Sequence, residues 1–410
     1  MPRISNRGEL MPNSPIRKLV PYAEEATKKG IKVLKLNIGQ PDIHTSQVAL
    51  EAIKKLDAKV IDYGHSAGNK TLRDKFAKYY AGIKVNVLAD DILITTGASE
   101  AITLTLLTCL NAGDEIIVPE PFYANYFSFA TATDVEVVPI TASIENGFAL
   151  PPINEFEKKI TNRTKAIIIC NPNNPTGYIY SRKELEQLRD LVLKYDLFLL
   201  ADEVYRELCY DGESFTSIMN IKGIEQNVIL IDSVSKRYSA TGFRVGALIS
   251  KNKTLLQTAL KFCQARLSPP YFGQVAAEAA IDSNQAYLDS VFNEFLERRN
   301  YIIPALNNIP GVYCPMPKGA FYCIARLPVD DAEKFALWLL KDFQYLKHTV
   351  MLAPAAGFYY NTDLGKQEVR IAYVLNKNDL KKAIECLTIA LEQYPGRIVE
   401  KPAEKVTASQ

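Results

Sequence analysis

The stretch Asn227-Val228-Ile229-Leu230-Ile231-Asp232-Ser233-Val234-Ser235-Lys236-Arg237-Tyr238-Ser239-Ala240-Thr241-Gly242-Phe243-Arg244 decides how this chain is read. Its first part is an apolar, β-branched run, the pattern of a strand buried on both faces. Lys236 therefore falls where a strand hands the chain to a loop, the edge at which open α/β sheets bind ligands. Most of the 48 lysines and arginines must be solvated surface, but this lysine is set apart by its company. Ser233 and Ser235 flank it and Arg244 follows, a set suited to holding a phosphate beside an amine.

A lysine amine next to an anchored phosphate is what a Schiff-base cofactor such as pyridoxal phosphate requires. Outward from it, strand-like and helix-like segments alternate from about residue 90 to 250, as in a largely parallel sheet covered by helices. Asp91–Gly97 leads into a helical run over 98–110, and 115–118, 135–138, 166–169 and 197–200 read as further strands. Ser181-Arg182-Lys183-Glu184 is a capping-box pattern opening a helix that ends near Tyr195. After Pro269-Pro270 a long helical reading extends to about Asn300. Short strands follow around 312–314, 320–323 and 369–372, then a helix over 377–392. The expected organisation is an N-terminal segment, 1–45, that joins a small α+β domain over 301–395, a large domain over 46–300, and a frayed polar tail, 396–410.

Four more sites share the strand-end placement. Thr96-Gly97-Ala98-Ser99-Glu100 opens a helix, where free backbone N–H groups favour a phosphate. Asn171-Pro172-Asn173-Asn174-Pro175-Thr176-Gly177 makes a rigid loop that brings the Asn174 amide within reach of a ligand. Asp202 ends an apolar run, so its carboxylate needs a cation; a helix cap, an internal ion pair or a pyridinium nitrogen would each serve. Tyr205 follows three positions on, and Tyr123 lies just past another strand, free either to pack in the core or to stack on a ring. Arg370 sits inside an apolar strand and calls for a bidentate anion, from a substrate or from a structural carboxylate.

Composition narrows the function further. The formal charge is +2, from 48 basic and 46 acidic residues, which makes no electrostatic case for nucleic acid. Seven scattered cysteines and three histidines lack the spacing of a metal site, so no metal is expected. No signal-peptide core or bilayer-length apolar run occurs, which gives the expectation of a cytoplasmic protein away from membranes. No G-x-G-x-x-G is present to bind a dinucleotide.

Together Asn173-Asn174-Pro175-Thr176-Gly177, Ala201-Asp202-Glu203-Val204-Tyr205, Ser233-Val234-Ser235-Lys236 with Gly242-Phe243-Arg244, and Val369-Arg370-Ile371 resemble the class I and II aminotransferases of pyridoxal-phosphate fold type I. The match runs in order over about residues 30 to 395. The resemblance implies an α/β large domain with a mostly parallel seven-stranded sheet between helices, plus a smaller α+β domain. It implies that Lys236 carries the cofactor and later moves the substrate α-proton, while Asp202 pairs with the pyridinium. Tyr205 and Asn174 would hold the ring oxygen, Ala98, Ser99, Ser233 and Arg244 the phosphate, and Tyr123 would stack on the ring. Arg370, with Asn174 and the Gly39 backbone, would take the substrate carboxylate. Tyr63 matches the tyrosine that reaches the neighbouring subunit's phosphate, which implies a homodimer with shared sites.

The implied reaction is amino transfer from an L-amino acid to a 2-oxo acid such as 2-oxoglutarate, with aspartate or aromatic donors favoured. Aspartate-specific relatives tend to carry a lysine where this chain has Ser99. Arg17 and Arg266 are the candidate replacements; Ile16, Phe321 and Phe358 would instead build an apolar pocket. Lyases, decarboxylases and synthases of the same fold, and regulators with an added DNA-binding module, are the alternatives. No such module precedes Met11. A rival from another class is a serine hydrolase, because Gly64-His65-Ser66-Ala67-Gly68 fits the nucleophile-elbow pattern after a strand-like Val60-Ile61. It would need His348, and the segment 69–75 reads as too polar for a helix buried on a sheet.

Overall fold

The computed structural model describes residues 2–213 and 215–398. Its main sheet has seven strands in the order Ile92–Thr95, Gly246–Ile249, Val228–Ser233, Phe198–Asp202, Thr164–Cys170, Glu115–Glu120, Glu136–Thr141. Gly246–Ile249 runs antiparallel to both neighbours, and the other pairings are parallel. The strands are near-continuous apolar runs because helices cover both faces. Leu199, Ala201 and Leu230 pack with Tyr80, Leu188 and Val192 on one side. Leu200, Ile229 and Ile231 pack with Ala101, Leu106 and Leu256 on the other. All five parallel strands from Glu115 to Ser233, together with Ile92–Thr95, therefore share one carboxyl edge.

A second group of elements sits over that edge. Ala353–Pro354, Glu368–Ala372 and Tyr322–Arg326 form an antiparallel sheet, and the N-terminal strand Lys32–Lys35 pairs in parallel with His348–Met351. Helices Val20–Lys28, Ala332–Lys341 and Lys377–Gln393 pack on these strands through a core that includes Leu34, Phe335, Leu339 and Leu387. The N-terminal segment thus joins C-terminal structure.

Several local expectations need correction. The helical reading after Pro270 is two helices, Tyr271–Ile281 and Gln285–Asn307, because Asn284 leaves the helical conformation and its side chain caps Tyr287 N at 3.0 Å. Around 312–314 there is only an isolated bridge from Tyr313 to Arg326. Lys70–Gly82 is a helix despite its polar start, since Leu72, Phe76 and Tyr80 fall on one buried stripe. Val60 and Ile61 form no strand, so Ser66 lies in a turn instead of a strand-to-helix elbow, and His348 belongs to the strand paired with Lys32–Lys35. The first residues of the expected tail are held: Asp330 N donates to Gly396 O and Ile398 N to Pro328 O, both at 2.9 Å. The rest of the tail, 399–410, lies outside the described residues. Among the described residues no helix is long and apolar enough to cross a membrane.

Candidate active site

The carboxyl edge of the sheet opens into a cavity of about 510 Å³, within the size range of small-molecule sites. Gly39, Ala98, Ser99, Tyr123, Asn174, Asp202, Tyr205, Ser233, Lys236, Arg244 and Arg370 all line it, although they come from eight separate segments of chain. Tyr63 does not; it is 80% exposed on the single chain.

One end of the cavity is built for an anion. Thr96 leaves the sheet and Gly97, with φ +75°, starts the helix Gly97–Cys109, whose first N–H groups have no partner within the helix. A Cβ on Gly97 would stand 2.3 Å from Arg244 Nη2, so the missing side chain is what lets the guanidinium lie against the helix start. Ser233 Oγ lies 2.8 Å from Ser235 Oγ and 2.9 Å from the Val245 carbonyl.

The other end is built for a cation. Asp202 is buried; its Oδ2 accepts from Tyr126 OH at 3.0 Å and its Oδ1 from Val204 N at 3.4 Å. Burial pushes its carboxyl up to about 6, against the opposing pull of the Tyr126 hydrogen bond. Lys236 lines the same cavity, its Nζ donating to Gly39 O at 3.0 Å and lying within electrostatic reach of both Asp202 and Arg244. Burial, and then the Arg370 charge, lower this amine to about 8, while Asp202 opposes the change.

Arg370 comes from the strand Glu368–Ala372 and is fully buried between the rings of Tyr322 and Phe358, 4.6 and 4.8 Å from their centroids. It donates to Asn174 Oδ1 at 3.1 Å and Asn37 O at 2.6 Å, and no carboxylate pairs with it among the described residues. Its Nε has no partner. Burial lowers its proton affinity, yet a guanidinium stays charged near neutrality. Asn174 is oriented by its loop: Asn173 Oδ1 accepts from Thr176 N at 3.2 Å and Asn171 Oδ1 from Tyr180 N at 3.1 Å. Asn174 Nδ2 reaches Tyr205 OH at 3.5 Å, which lies 3.1 Å from Tyr322 OH.

Two residues in this arrangement had no role in the sequence reading. Tyr322 lines the cavity so closely against Gly39 that a Cβ there would fall 1.7 Å from its hydroxyl. Tyr126 is the donor to Asp202. Both are aromatic residues in ordinary apolar runs, and nothing in their spacing marks them. Of the residues weighed for side-chain selection, Ile16 and Arg17 line the cavity, whereas Phe321 and Phe358 are buried behind it. Arg266 pairs with Glu100 of its own chain at 3.4 Å and donates to Ser66 O at 3.0 Å.

Comparison with known proteins agrees with this geometry. Residues 31–387 match the family model described as aminotransferase class I and II. Aspartate aminotransferase from Pyrococcus horikoshii is 32% identical over 397 residues, covering 95% of this chain and 97% of the relative. Aromatic-amino-acid aminotransferase 2 from Thermococcus litoralis is 30% identical over 400 residues, covering 95% and 98%. The crystal structure of aspartate aminotransferase from Thermotoga maritima superposes with a TM-score of 0.87 at 30% identity, over 95% of this chain and all of that one. A family match over most of the chain, relatives of the same length and a shared fold have one meaning: the chain belongs to the class I and II aminotransferases, and it is an amino-acid transaminase.

Proposed function

We propose that the protein uses pyridoxal phosphate to move the amino group of an acidic L-amino acid, aspartate first, to a 2-oxo acid such as 2-oxoglutarate. The observation that carries the cofactor reading is the set of groups that one cavity brings together: an anion cradle, a part-buried amine lowered to about 8, and a buried carboxylate. This donor set fits a molecule with a phosphate at one end and a basic ring nitrogen at the other. Ala98, Ser99, Ser233 and Arg244 would hold the phosphate, Asp202 the ring nitrogen, Tyr205 and Asn174 the ring oxygen, and Tyr123 a ring face. When bound, the group supplies an aldehyde for the lysine and an electron sink for the substrate α-carbon.

The chain's own residues then divide the work. Asp202, kept ionised by the Tyr126 hydrogen bond, holds a positive charge at its end of the cavity. Lys236 Nζ takes and returns the proton at the substrate α-carbon, a task suited to an amine whose affinity lies near working pH. Arg370 binds the α-carboxylate through donors that its protein partners leave free, with Asn174 and the Gly39 backbone beside it. Tyr123, Tyr205 and Tyr322 narrow the space and keep water from the reacting carbon.

Arg17 supports the acidic substrate. It lines the cavity, and of the apolar set Ile16 alone reaches the same space. Exposed Tyr63, near Val60 and Ile61, supports a second copy of the chain completing the site. The test is a donor screen with 2-oxoglutarate, reading glutamate. Wild type should prefer aspartate, and Arg17→Ala should lower kcat/KM for aspartate about tenfold while leaving phenylalanine within about twofold. Equal losses on both donors overturn the acidic assignment; a colourless protein that borohydride cannot fix to Lys236 overturns the cofactor.

A further inference from the structure

Four cavity-lining residues each have a charged neighbour in sequence that is buried on the far side of the sheet. Glu203 follows Asp202, Arg206 follows Tyr205, Arg237 follows Lys236, and Asp232 precedes Ser233. Side chains alternate across a strand, so Asp232, beside cavity-facing Ser233, points to the other face. Glu203 just past a strand end, Arg206 in a turn and Arg237 in the short helix Val234–Arg237 reach the same place from outside the strands. All four charged side chains are buried, and they meet beside Tyr80, on the face that also holds Leu230 and Val234.

Their contacts join the two central strand ends. Arg237 Nη2 bonds Asp232 Oδ2, which also accepts from Tyr80 OH at 2.7 Å. Arg206 Nη2 lies 3.6 Å from both Asp232 Oδ1 and Glu203 Oε2. Glu203 Oε1 accepts from Ser217 Oγ at 3.0 Å and Ile218 N at 2.8 Å. The guanidinium planes rest on aromatic rings, Arg206 at 4.7 Å from the Tyr80 centroid and Arg237 at 4.3 Å from Tyr79.

This is a poor device for stability alone. Among the described residues, both terminal nitrogens of Arg206, Arg237 Nε and Nη1, and Glu203 Oε2 lack a hydrogen-bond partner, although Arg237 Nη1 lies 3.7 Å from Glu207 Oε1. Charges buried so incompletely paired cost desolvation that apolar side chains of the same volume would avoid. What the ions supply is constraint, because one guanidinium is shared by carboxylates on two adjacent strands. The cluster is also in electrostatic reach of the cavity, since the Asp232 charge raises the proton affinity of Asp202.

We propose that Glu203, Arg206, Asp232 and Arg237 form a positioning cluster that locks the ends of the strands Phe198–Asp202 and Val228–Ser233 from behind and so sets where Asp202 and Lys236 stand in the cavity. The proposal rests on the reading that these two residues carry the chemistry. None of the four touches the cavity, so their effect passes through the backbone they share with residues that do.

The experiment uses the full chain carrying Arg237→Met, Arg237→Lys, Asp232→Asn, Glu203→Gln, and the pair Asp232→Asn with Arg237→Met. Three quantities are read: kcat and KM with the best wild-type donor, the melting temperature, and the pH midpoint of Lys236 labelling by an amine reagent after cofactor removal. Arg237→Met should lower kcat about tenfold at a KM within about twofold, and shift the labelling midpoint. Arg237→Lys should recover most of that loss. The double variant should lose less than the sum of its parts, because it removes the stranded Asp232 charge as well. Glu203→Gln, nearly isosteric, keeps the test open if Arg237→Met does not fold. Melting temperatures that fall while kcat and the labelling midpoint stay at wild-type values would overturn the proposal, as would strictly additive losses. The labelling arm needs no turnover, so it judges the cluster separately from the catalytic reading, which falls instead if Lys236→Ala remains active.

Discussion

Lys236 and Asp202 owe their opposite displacements to one cause, the exclusion of water, which disfavours the charged form of each. Pairs of groups pushed in this way mark the acid and base assignments of a site. The neighbours fix the direction of further change. Arg370 lowers the amine and Asp202 raises it, so their removal must act with opposite sign. In the cofactor-free protein, amine labelling of Lys236 should grow as pH rises through about 8, because the neutral amine is the reactive form; an unperturbed lysine would wait for 10.5. Arg370→Met should move that midpoint up and Asp202→Asn should move it down. Labelling followed by peptide mass across a pH series reads all three, and a reversed order of the variants would sink this electrostatic account.

At the level of elements, what was legible in the sequence is what local rules decide. The run from Val228 to Ile231 is a strand because it is apolar on both sides, and Ser181 with Glu184 caps the helix Arg182–Tyr195 with both halves of the box in place. Arg370, Asn174 and Tyr205 were legible through their motifs, but Tyr322 was not, because contact across the chain is not a local property: it meets Tyr205 over 117 positions, just as Arg370 meets Asn174 over 196. The polar start of Lys70–Gly82 misled for a related reason, since a helix needs only one apolar stripe. One tight joint between elements is at Gly246, where a Cβ would stand 2.5 Å from Gly97 C, 2.6 Å from Ala98 N and 2.8 Å from Asp232 O. These are backbone atoms of the helix start and of a central strand, so they can yield only by separating. Gly246→Ala should therefore cost about 1–3 kcal/mol of stability and also weaken retention of a phosphate-bearing ligand. Paired denaturation and inorganic-phosphate binding measurements check this; lost stability with unchanged phosphate affinity would detach the joint from the anion cradle.

For the whole molecule, the elements over the sheet edge supply Arg370, Tyr322 and, through the N-terminal segment, Gly39 and Arg17, so the cavity exists only when the two ends of the chain assemble across it. One expected member remains outside: Tyr63 is 80% exposed on the single chain and Val60 72%, and large apolar side chains left open in this way would suit a contact surface. In a two-fold dimer the same patch serves both copies, so a tyrosine reaching across would complete each neighbour's site. Complementation separates that arrangement from a merely apolar surface. Lys236→Ala subunits keep Tyr63, and Tyr63→Ala subunits keep Lys236, so each homodimer has two defective sites. A hybrid dimer has one site with both groups and one with neither. Random reassortment makes half of the dimers hybrid, each with one repaired site, so mixing should restore about a quarter of wild-type activity. Denaturing and refolding the two variants together, then assaying against each variant refolded alone, measures it. Wild-type activity in Tyr63→Ala alone, no gain on mixing, or a fully active monomer in sedimentation would each refute the shared site.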